Sequence, residues 1–309
     1  MIYFLNHEME QQMRLMKIFW VLLMGCFYSN LFAAWHFTAA DVNALHSKPA
    51  DHRIAYGTDA LQFGDLRLPS GAGPYPVAII IHGGCWLAKI ADLQNSAALA
   101  DALRELGIAT WNIEYRREDS VGGGWPGTFL DVANAADYLQ KIAKQYSLDL
   151  DHVIVIGHSA GGHLALWLAA RHQLPATSQL YMPHPLKIRG VIALAGVPNL
   201  EMFRSQATKV CGADVIGNLL GTTPDQVNAH YKEASPSELL PLGVPQVLIF
   251  GTDDKVVPYI FGINYQQAAR KKGEMVQVLI VDGAAHHEFT VPNSISWPTV
   301  KSAIASLLH

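Results

Sequence analysis

The chain has 309 residues, of which 50% are hydrophobic and only 16% are charged, less than the roughly 25% of charged residues in an average soluble domain. This composition supplies one large buried core, and α/β folds often reach this length around a single core. The formal net charge of −4 does not provide the basic stripe that neutralises nucleic-acid phosphates, so a nucleic-acid partner is not expected.

The first 34 residues have the order of a secretory signal peptide. Two basic residues, Arg14 and Lys17, precede an apolar run that continues, with interruptions, to Ala34. Acidic residues within the first ten positions do not fit a leader. We interpret these positions as an overhang upstream of the true start, at Met13 or Met16.

This leader predicts a secreted or periplasmic protein with no stable membrane insertion after cleavage. A lipoprotein at Cys26 is a weaker alternative, because the apolar residues after the cysteine depart from that pattern. A retained anchor is weaker still, since Ser29 and Asn30 interrupt the run before about 20 apolar residues accumulate. Cleavage at the end of residues 1–34 would leave residues 35–309 as one domain.

After the leader, short apolar runs alternate with longer stretches of helical period, which predicts an α/β fold with a mostly parallel sheet and helices on both faces. Residues Leu61–Leu68 alternate apolar and polar side chains and predict an antiparallel edge strand or hairpin. The expected central strands are Val77–Ile81, Ile108–Ile113, Val153–Ile156, Val191–Leu194, Gln246–Phe250 and Val276–Val281. The expected helices are Gln94–Leu106, Phe129–Tyr146, Gly162–Arg171, Asn264–Lys272 and Thr299–Leu308.

One region departs from this alternation of strands and helices. Between Pro198 and Pro245, glycines and prolines interrupt the pattern, and only a weak helix at Asp225–Lys232 is predicted. We interpret residues 198–245 as a candidate cap segment. It contains no extended apolar helix of the kind that covers a site for long acyl chains.

The three cysteines, Cys26, Cys85 and Cys211, are too few for a disulfide scaffold and lack the CxxC spacing of zinc sites. Free thiols are the simplest expectation. A bond between Cys85 and Cys211 is the alternative in an oxidising compartment, but the sequence does not show whether the two are neighbours in space.

The segment Gly157–Gly161, GHSAG, matches the motif G-x-S-x-G. It follows an apolar strand and precedes an expected helix, which is the context of a nucleophile elbow. The elbow holds the serine in a strained conformation, so its neighbours have to be small. We therefore expect Ser159 to be a nucleophile, whereas an ordinary glycine turn is the alternative.

An acyl-transfer nucleophile needs donors aimed at the oxygen that becomes negative in the tetrahedral intermediate. The segment His82–Trp86, HGGCW, follows a strand and resembles the HGGG oxyanion loop of lipases and esterases. Backbone N–H groups serve whatever the side chain is, so Gly84 and Cys85 are the expected donors in this loop. Ala160, after the nucleophile, is expected to supply another, and a plain tight turn is the alternative.

The carboxylate and the histidine of such a site are expected later in the chain, in that order. Asp253 and Asp254 follow one predicted strand, and His286 and His287 follow the next. In the resulting mechanism the histidine accepts the serine proton, the carboxylate holds the imidazole tautomer, and an acyl-enzyme forms. This chemistry needs no organic cofactor or metal, and the sequence contains no H-E-x-x-H.

Several motifs together resemble the esterase/lipase-like group of α/β-hydrolases, which includes hormone-sensitive-lipase-like esterases, BD-FAE-like proteins and kynurenine formamidases. The resemblance spans residues 60–308 and implies a sheet of about eight strands and no cofactor. The motifs are HGGCW at 82–86, NIEYR at 112–116, WPG at 125–127 with Asp131, GHSAGGHLA at 157–165, and the segments of Asp254 and His286.

The same resemblance ranks the two pairs of candidates. Asp254 is preferred because D-x-x-V-P is the usual arrangement in this group, and Asp253 is the fallback. His286 is preferred over His287 because it directly follows small residues and precedes Pro292, as in related hydrolases. The expected triad is therefore Ser159, Asp254 and His286.

The resemblance implies a serine hydrolase that acts on a small-molecule acyl ester or amide. Esters of small or aromatic acids are the first expectation, because Trp86, Trp125 and Phe129 could line a pocket, although core packing explains them equally well. An arylformamidase, amidase or peptidase-like hydrolase would use the same triad. A non-catalytic binding protein on this scaffold is the alternative from another class.

Overall fold

The computed structural model of the protein describes residues 36–221 and 223–308. The predicted leader and its boundary at residue 34 lie outside these residues, as does Cys26, and they stay predictions. Among the described residues, no helix is both long enough and apolar enough to cross a membrane.

The described residues form one sheet of eight strands: β1 His52–Ala55, β2 Phe63–Arg67, β3 Tyr75–Ile81, β4 Ala109–Ile113, β5 Leu148–His158, β6 Gly190–Leu194, β7 Gln246–Gly251 and β8 Val276–Val281. The spatial order is β1-β2-β4-β3-β5-β6-β7-β8. β2 pairs antiparallel with β1 and β4, and all other neighbours are parallel. The predicted α/β class and all six predicted strands are confirmed. The strand at Val276–Val281 was expected to be central, but as β8 it lies at the edge of the sheet, and only Val276 is buried.

Nine α-helices occur in the described ranges: α1 Ala39–Asn43, α2 Ala97–Glu105, α3 Gly127–Tyr146, α4 Ala160–Ala170, α5 Leu200–Cys211, α6 Val215–Leu220, α7 Pro224–Ala234, α8 Ile260–Lys271 and α9 Trp297–Leu308. The five predicted helices correspond to α2, α3, α4, α8 and α9. The weak helix predicted in the candidate cap segment corresponds to α7. The sequence did not indicate α1, α5 or α6.

The antiparallel edge strand or hairpin expected at Leu61–Leu68 is β2, which forms a hairpin with β1. β2 is not itself at the edge of the sheet, because β1 lies outside it. β1 was not predicted because three of its four residues are exposed and its sequence, HRIA, carries no apolar alternation. Its pairing with β2 supplies the order that the local sequence does not.

The central strands of the sheet are buried on both faces, whereas the edge strands β1 and β8 are more exposed. In β3, the alternate residues Val77, Ile79 and Ile81 face the cluster formed with α3 and α4, while Ala78 and Ile80 face the cluster formed with α2 and α9. A sheet covered on both sides is a rigid base. The loops that follow its parallel strands therefore start from fixed points.

The candidate cap segment, residues 198–245, contains α5, α6 and α7 between β6 and β7. α5 buries only the narrow stripe Leu200, Phe203 and Ala207, and α6 has six residues, so neither carries a strong helical period. Side-chain caps at Asn199 and Asp214 begin these two helices, in place of a long apolar pattern.

Candidate active site

Ser159 lies at the turn between β5 and α4, with φ 54° and ψ −119°. A non-glycine residue at positive φ is strained and persists only where the surroundings hold it. Strand and helix approach so closely here that a Cβ on Gly157 would lie 2.0 Å from the carbonyl oxygen of Gly161. A Cβ on Gly161 would lie 2.1 Å from the carbonyl oxygen of Ile81. The G-x-S-x-G sequence therefore occupies the sharp strand-to-helix turn that the motif predicts.

Asp254 and His286 are joined by a hydrogen bond, although they follow different strands, β7 and β8. Nδ1 of His286 lies 2.8 Å from Oδ2 of Asp254, and both side chains are buried. The other oxygen, Oδ1, accepts the backbone N–H groups of Val256 at 2.7 Å and Val257 at 2.9 Å. These bonds fix the carboxylate, which holds the proton on Nδ1 and leaves Nε2 of the neutral imidazole as an acceptor.

The histidine segment and the serine turn meet through His158. Nε2 of His158 donates to the carbonyl oxygen of His286 at 2.9 Å, and the two ring centroids are 4.7 Å apart. Within the described residues the hydroxyl of Ser159 makes no hydrogen bond, so the structure joins the acid and the base directly but not the base and the serine. Catalytic hydrogen bonds are often long in the absence of substrate and tighten when it binds.

The two fallback residues take other positions. The backbone N–H of Asp253 donates to the carbonyl of Ala284 at 3.0 Å, and its carboxylate accepts the Thr252 hydroxyl at 3.3 Å. His287 packs edge-on against His286, with ring centroids 5.1 Å apart. Burial, assisted by the neighbouring His286, lowers the pKa of His287 to about 4. The pair joined in the structure is therefore the preferred one.

The loop His82–Trp86 leaves the end of β3 and runs against the serine turn. A Cβ on Gly83 would lie 2.9 Å from the carbonyl oxygen of His158 and 3.1 Å from Cβ of Ser159. No acceptor in the described part of the chain bonds to the backbone N–H groups of Gly84, Cys85 or Ala160. All three predicted donors are thus without an acceptor among the described residues.

Glu114, in the NIEYR segment at the end of β4, is bonded to His82, the first residue of this loop. Oε1 lies 3.1 Å from Nε2 of the buried His82 and pairs with Arg117, while Oε2 accepts the backbone N–H of Leu93 at 3.1 Å. The Tyr115 hydroxyl donates to the carbonyl of His82 at 2.9 Å. Burial acts to raise the pKa of Glu114, but the nearby His82 and Arg117 outweigh it and lower the pKa to about 2.

Replacement of Glu114 by glutamine is expected to reduce the free energy of unfolding by about 3 kcal/mol at neutral pH. Because the folded pKa is depressed, this contribution is complete above the ordinary value of 4.5 and is lost as the pH falls towards about 2. Urea unfolding from pH 2 to 7 measures it, with Glu201→Gln at an exposed position as control. If the free energies of unfolding of Glu114→Gln and the wild type differed by the same amount at every pH, this account would be contradicted.

The free-thiol expectation for Cys85 and Cys211 is wrong: the two form a disulfide across 126 positions of sequence, with Cα atoms 6.0 Å apart. Cys85 belongs to the loop after β3, and Cys211 is the last residue of α5. Their proximity depends on the whole fold, so no local pattern could have indicated it.

The candidate cap segment is attached to the loops around Ser159 at several points. The Asn218 amide donates to Glu118 at 2.6 Å, and the Gln206 amide donates to the carbonyl of Lys255, next to Asp254, at 2.8 Å. Trp125 stacks on His230, with ring centroids 4.1 Å apart. Gln206 was not predicted from the sequence, since nothing local marks a polar residue on an exposed helix.

The aromatic residues considered for a pocket have different environments. Trp86 and Phe129 are fully buried, and the Trp86 indole donates to Nδ1 of His163 at 3.2 Å, so both pack in the core. Trp125 is half-buried, and its indole N–H has no partner among the described residues. No group of three or more His, Cys, Asp or Glu side chains in those residues is placed to hold a metal ion.

Two proteins of Mycobacterium tuberculosis (strain ATCC 25618 / H37Rv) are similar in sequence to this chain. Esterase LipC is 26% identical over 264 residues, covering 83% of this chain and 64% of LipC. The "Probable carboxylic ester hydrolase LipM" is 26% identical over 188 residues, covering 60% of this chain and 43% of LipM. The chain thus spans less than two thirds of the length of either relative.

A solved structure and a family model complete the comparison. The truncated form of a carbohydrate esterase from gut microbiota matches with a TM-score of 0.68 at 22% identity, covering 85% of this chain and 96% of that chain, which shows a shared fold. The BD-FAE family model matches residues 65–268, more than half of the chain. The protein therefore has an α/β-hydrolase fold and belongs to the BD-FAE family.

Proposed function

We propose that this protein is a serine hydrolase that cleaves carboxylic esters of small or aromatic acids. Ser159 is the nucleophile, His286 the general base, and Asp254 the residue that orients the imidazole. The observation that carries the proposal is the 2.8 Å hydrogen bond between His286 and Asp254, at a site where a serine is held at φ 54°. The names of LipC and LipM, an esterase and a carboxylic ester hydrolase, support the ester bond as the target.

In the first half of the reaction, Oγ of Ser159 attacks the acyl carbon while Nε2 of His286 takes the hydroxyl proton. The carboxylate of Asp254 stabilises the imidazolium through Nδ1–H. Negative charge develops on the former carbonyl oxygen, and the N–H groups of Gly84, Cys85 and Ala160 are the proposed donors to it.

The tetrahedral intermediate then collapses. The bond between the acyl carbon and the alcohol oxygen breaks, His286 returns its proton to that oxygen, and an acyl-enzyme on Ser159 remains. In the second half a water molecule gives its proton to His286 and attacks the acyl carbon. Transfer of this proton to Oγ releases the carboxylic acid and restores the serine.

The environment of Trp125 favours the proposal that the acyl group is small or aromatic. Its half-buried ring has an unpartnered indole N–H in the described structure and stacks on His230 of α7, so an aromatic surface joins the sheet domain to the candidate cap segment. Aromatic surfaces with a few polar groups are typical of sites for small ligands.

A panel of substrates tests the proposal. We expect a higher kcat/KM, by about tenfold or more, for p-nitrophenyl acetate, butyrate and benzoate than for the palmitate. We also expect a fluorophosphonate to form an adduct on the peptide that contains Ser159. N-formylkynurenine and an acetylamino-acid anilide belong in the panel, since faster turnover of either would indicate an amidase. No adduct and no turnover would contradict the proposal.

We also propose that the mature protein is secreted or periplasmic. The Cys85–Cys211 disulfide supports this, because such bonds persist in oxidising compartments and are rare in the cytosol. Mass spectrometry of the protein from its native host measures the mature N-terminus. A terminus near residue 35 is expected, whereas an intact residue 1 or 13 would contradict leader cleavage.

A further inference from the structure

We propose that Cys211 is a positioning residue for the oxyanion hole. Through its disulfide to Cys85 it holds a strained loop that carries two of the three proposed oxyanion donors. The kinetic consequence rests on the proposed function, whereas the structural consequence rests on the geometry of the loop alone.

The loop has three successive residues in the left-handed region of backbone space: Gly84 at φ 108°, Cys85 at φ 56° and Trp86 at φ 56°. Glycine adopts such values without steric cost, but two consecutive residues with side chains do not. A backbone of this kind keeps its shape only where contacts from outside the loop hold it.

Trp86 has such contacts. Its indole donates to His163, whose Nε2 donates in turn to the carbonyl of Ala234, and its own carbonyl accepts the N–H of Glu118 at 2.9 Å. Cys85, in contrast, packs against the core but makes no hydrogen bond within the described residues, and the bond to Cys211 is its covalent link to another part of the fold. The disulfide is therefore the anchor of the residue that carries an oxyanion donor.

The other end of this anchor is firm. Cys211 ends α5, whose Phe203 and Ala207 are buried and whose Phe203 ring packs edge-on against Phe261 at a centroid distance of 5.3 Å. Gln206, one turn before Cys211 on the helix, donates to the backbone of the Asp254 loop. Because α5 is held at these points, Cys211 is a fixed point of attachment for Cys85.

Loss of the disulfide should release Cys85 from its unfavourable φ and turn its N–H away from the developing charge. The lost hydrogen bond would stabilise the transition state and not the bound substrate, so kcat should decrease while KM changes little. Glycine at position 85 keeps the N–H and adopts φ 56° without strain. It should therefore restore the loop even without the bond to residue 211.

Three variants of the full-length protein test this: Cys211→Ser, the double variant Cys85→Gly/Cys211→Ser, and Val210→Ser as a control at the neighbouring exposed position. Alkylation under denaturing conditions first verifies the Cys85–Cys211 bond in the wild type. Two quantities are then measured: kcat and KM for p-nitrophenyl butyrate, and hydrogen exchange of the Leu87 and Glu118 amides. These amides donate to the carbonyls of Gly84 and Trp86, so they report the shape of the loop.

We expect Cys211→Ser to lower kcat by about tenfold to a hundredfold, with KM within about twofold, and to accelerate exchange at both amides. Val210→Ser should match the wild type. The double variant should recover most of the lost kcat and most of the protection. This recovery separates positioning from general stabilisation, because the double variant also lacks the disulfide.

Unchanged exchange in Cys211→Ser would overturn the proposal, as would a double variant that is no better than Cys211→Ser. Absence of the bond in the wild type would overturn it as well. If the oxidised wild type hydrolyses no ester, the proposed function fails. The exchange measurements alone then support or overturn the role of Cys211.

Discussion

Replacement of Ser159 by alanine is expected to lower kcat for ester hydrolysis by about a millionfold, to the level that binding and the oxyanion donors sustain without a nucleophile. In the proposed mechanism Oγ of Ser159 forms the acyl-enzyme, and among the described residues no other hydroxyl is held at this strained turn. KM should change little, since the methyl group leaves the pocket open. Steady-state kinetics with p-nitrophenyl butyrate measure both quantities.

The control for this variant is Ser302→Ala, the same substitution at an exposed serine of α9. It should keep the wild-type kcat and the fluorophosphonate adduct. Hydrolysis or labelling that survives in Ser159→Ala at more than a trace level would show that another residue is the nucleophile.

Replacement of Asp254 by asparagine is expected to lower kcat by about ten thousandfold while the fold is retained. The asparagine oxygen can still accept the N–H groups of Val256 and Val257, so the loop keeps its bonds. Its NH₂ group, however, would face Nδ1 of His286 and favour the tautomer with the proton on Nε2. That tautomer cannot accept the serine proton.

Asp253→Asn is the matched control, because it makes the same change at the adjacent residue. Its kcat should stay within about threefold of the wild type, and circular dichroism should show both variants folded. If Asp253→Asn proved the more impaired of the two, the assignment of the acid would be wrong.

The sequence predicted the strands and the serine turn because their causes are local. An apolar strand, three small residues around Ser159 and a following helix are contained within about fifteen positions, and the close approach of Gly157 to Gly161 follows from them. The central strands β3 to β7 were likewise visible, since a strand buried on both faces needs a continuous apolar run. Such features need no knowledge of distant residues.

Features that depend on contacts between distant segments were not visible. Asp254 was ranked above Asp253 only by resemblance. The hydrogen bond that distinguishes the two aspartates joins Asp254, after β7, to His286, after β8, and such a contact is not visible in the local sequence. The Cys85–Cys211 bond spans 126 positions. The helices α5 and α6 were missed for other reasons. α5 buries only a narrow apolar stripe, and α6, although five of its six residues are buried, is too short to show a helical period.

The attachments of α5 limit how this protein can be engineered. One helix is bonded to the proposed oxyanion loop through Cys211 and to the loop of Asp254 through Gln206, and these two residues lie within two turns of each other. Residues 198–245 are thus a poor unit for wholesale exchange when new specificity is sought. A chimaera that takes this segment from a homologue needs a cysteine and a glutamine at the positions of Cys211 and Gln206. Without them, the one exchange would disturb both the loop of Cys85 and the loop of Asp254.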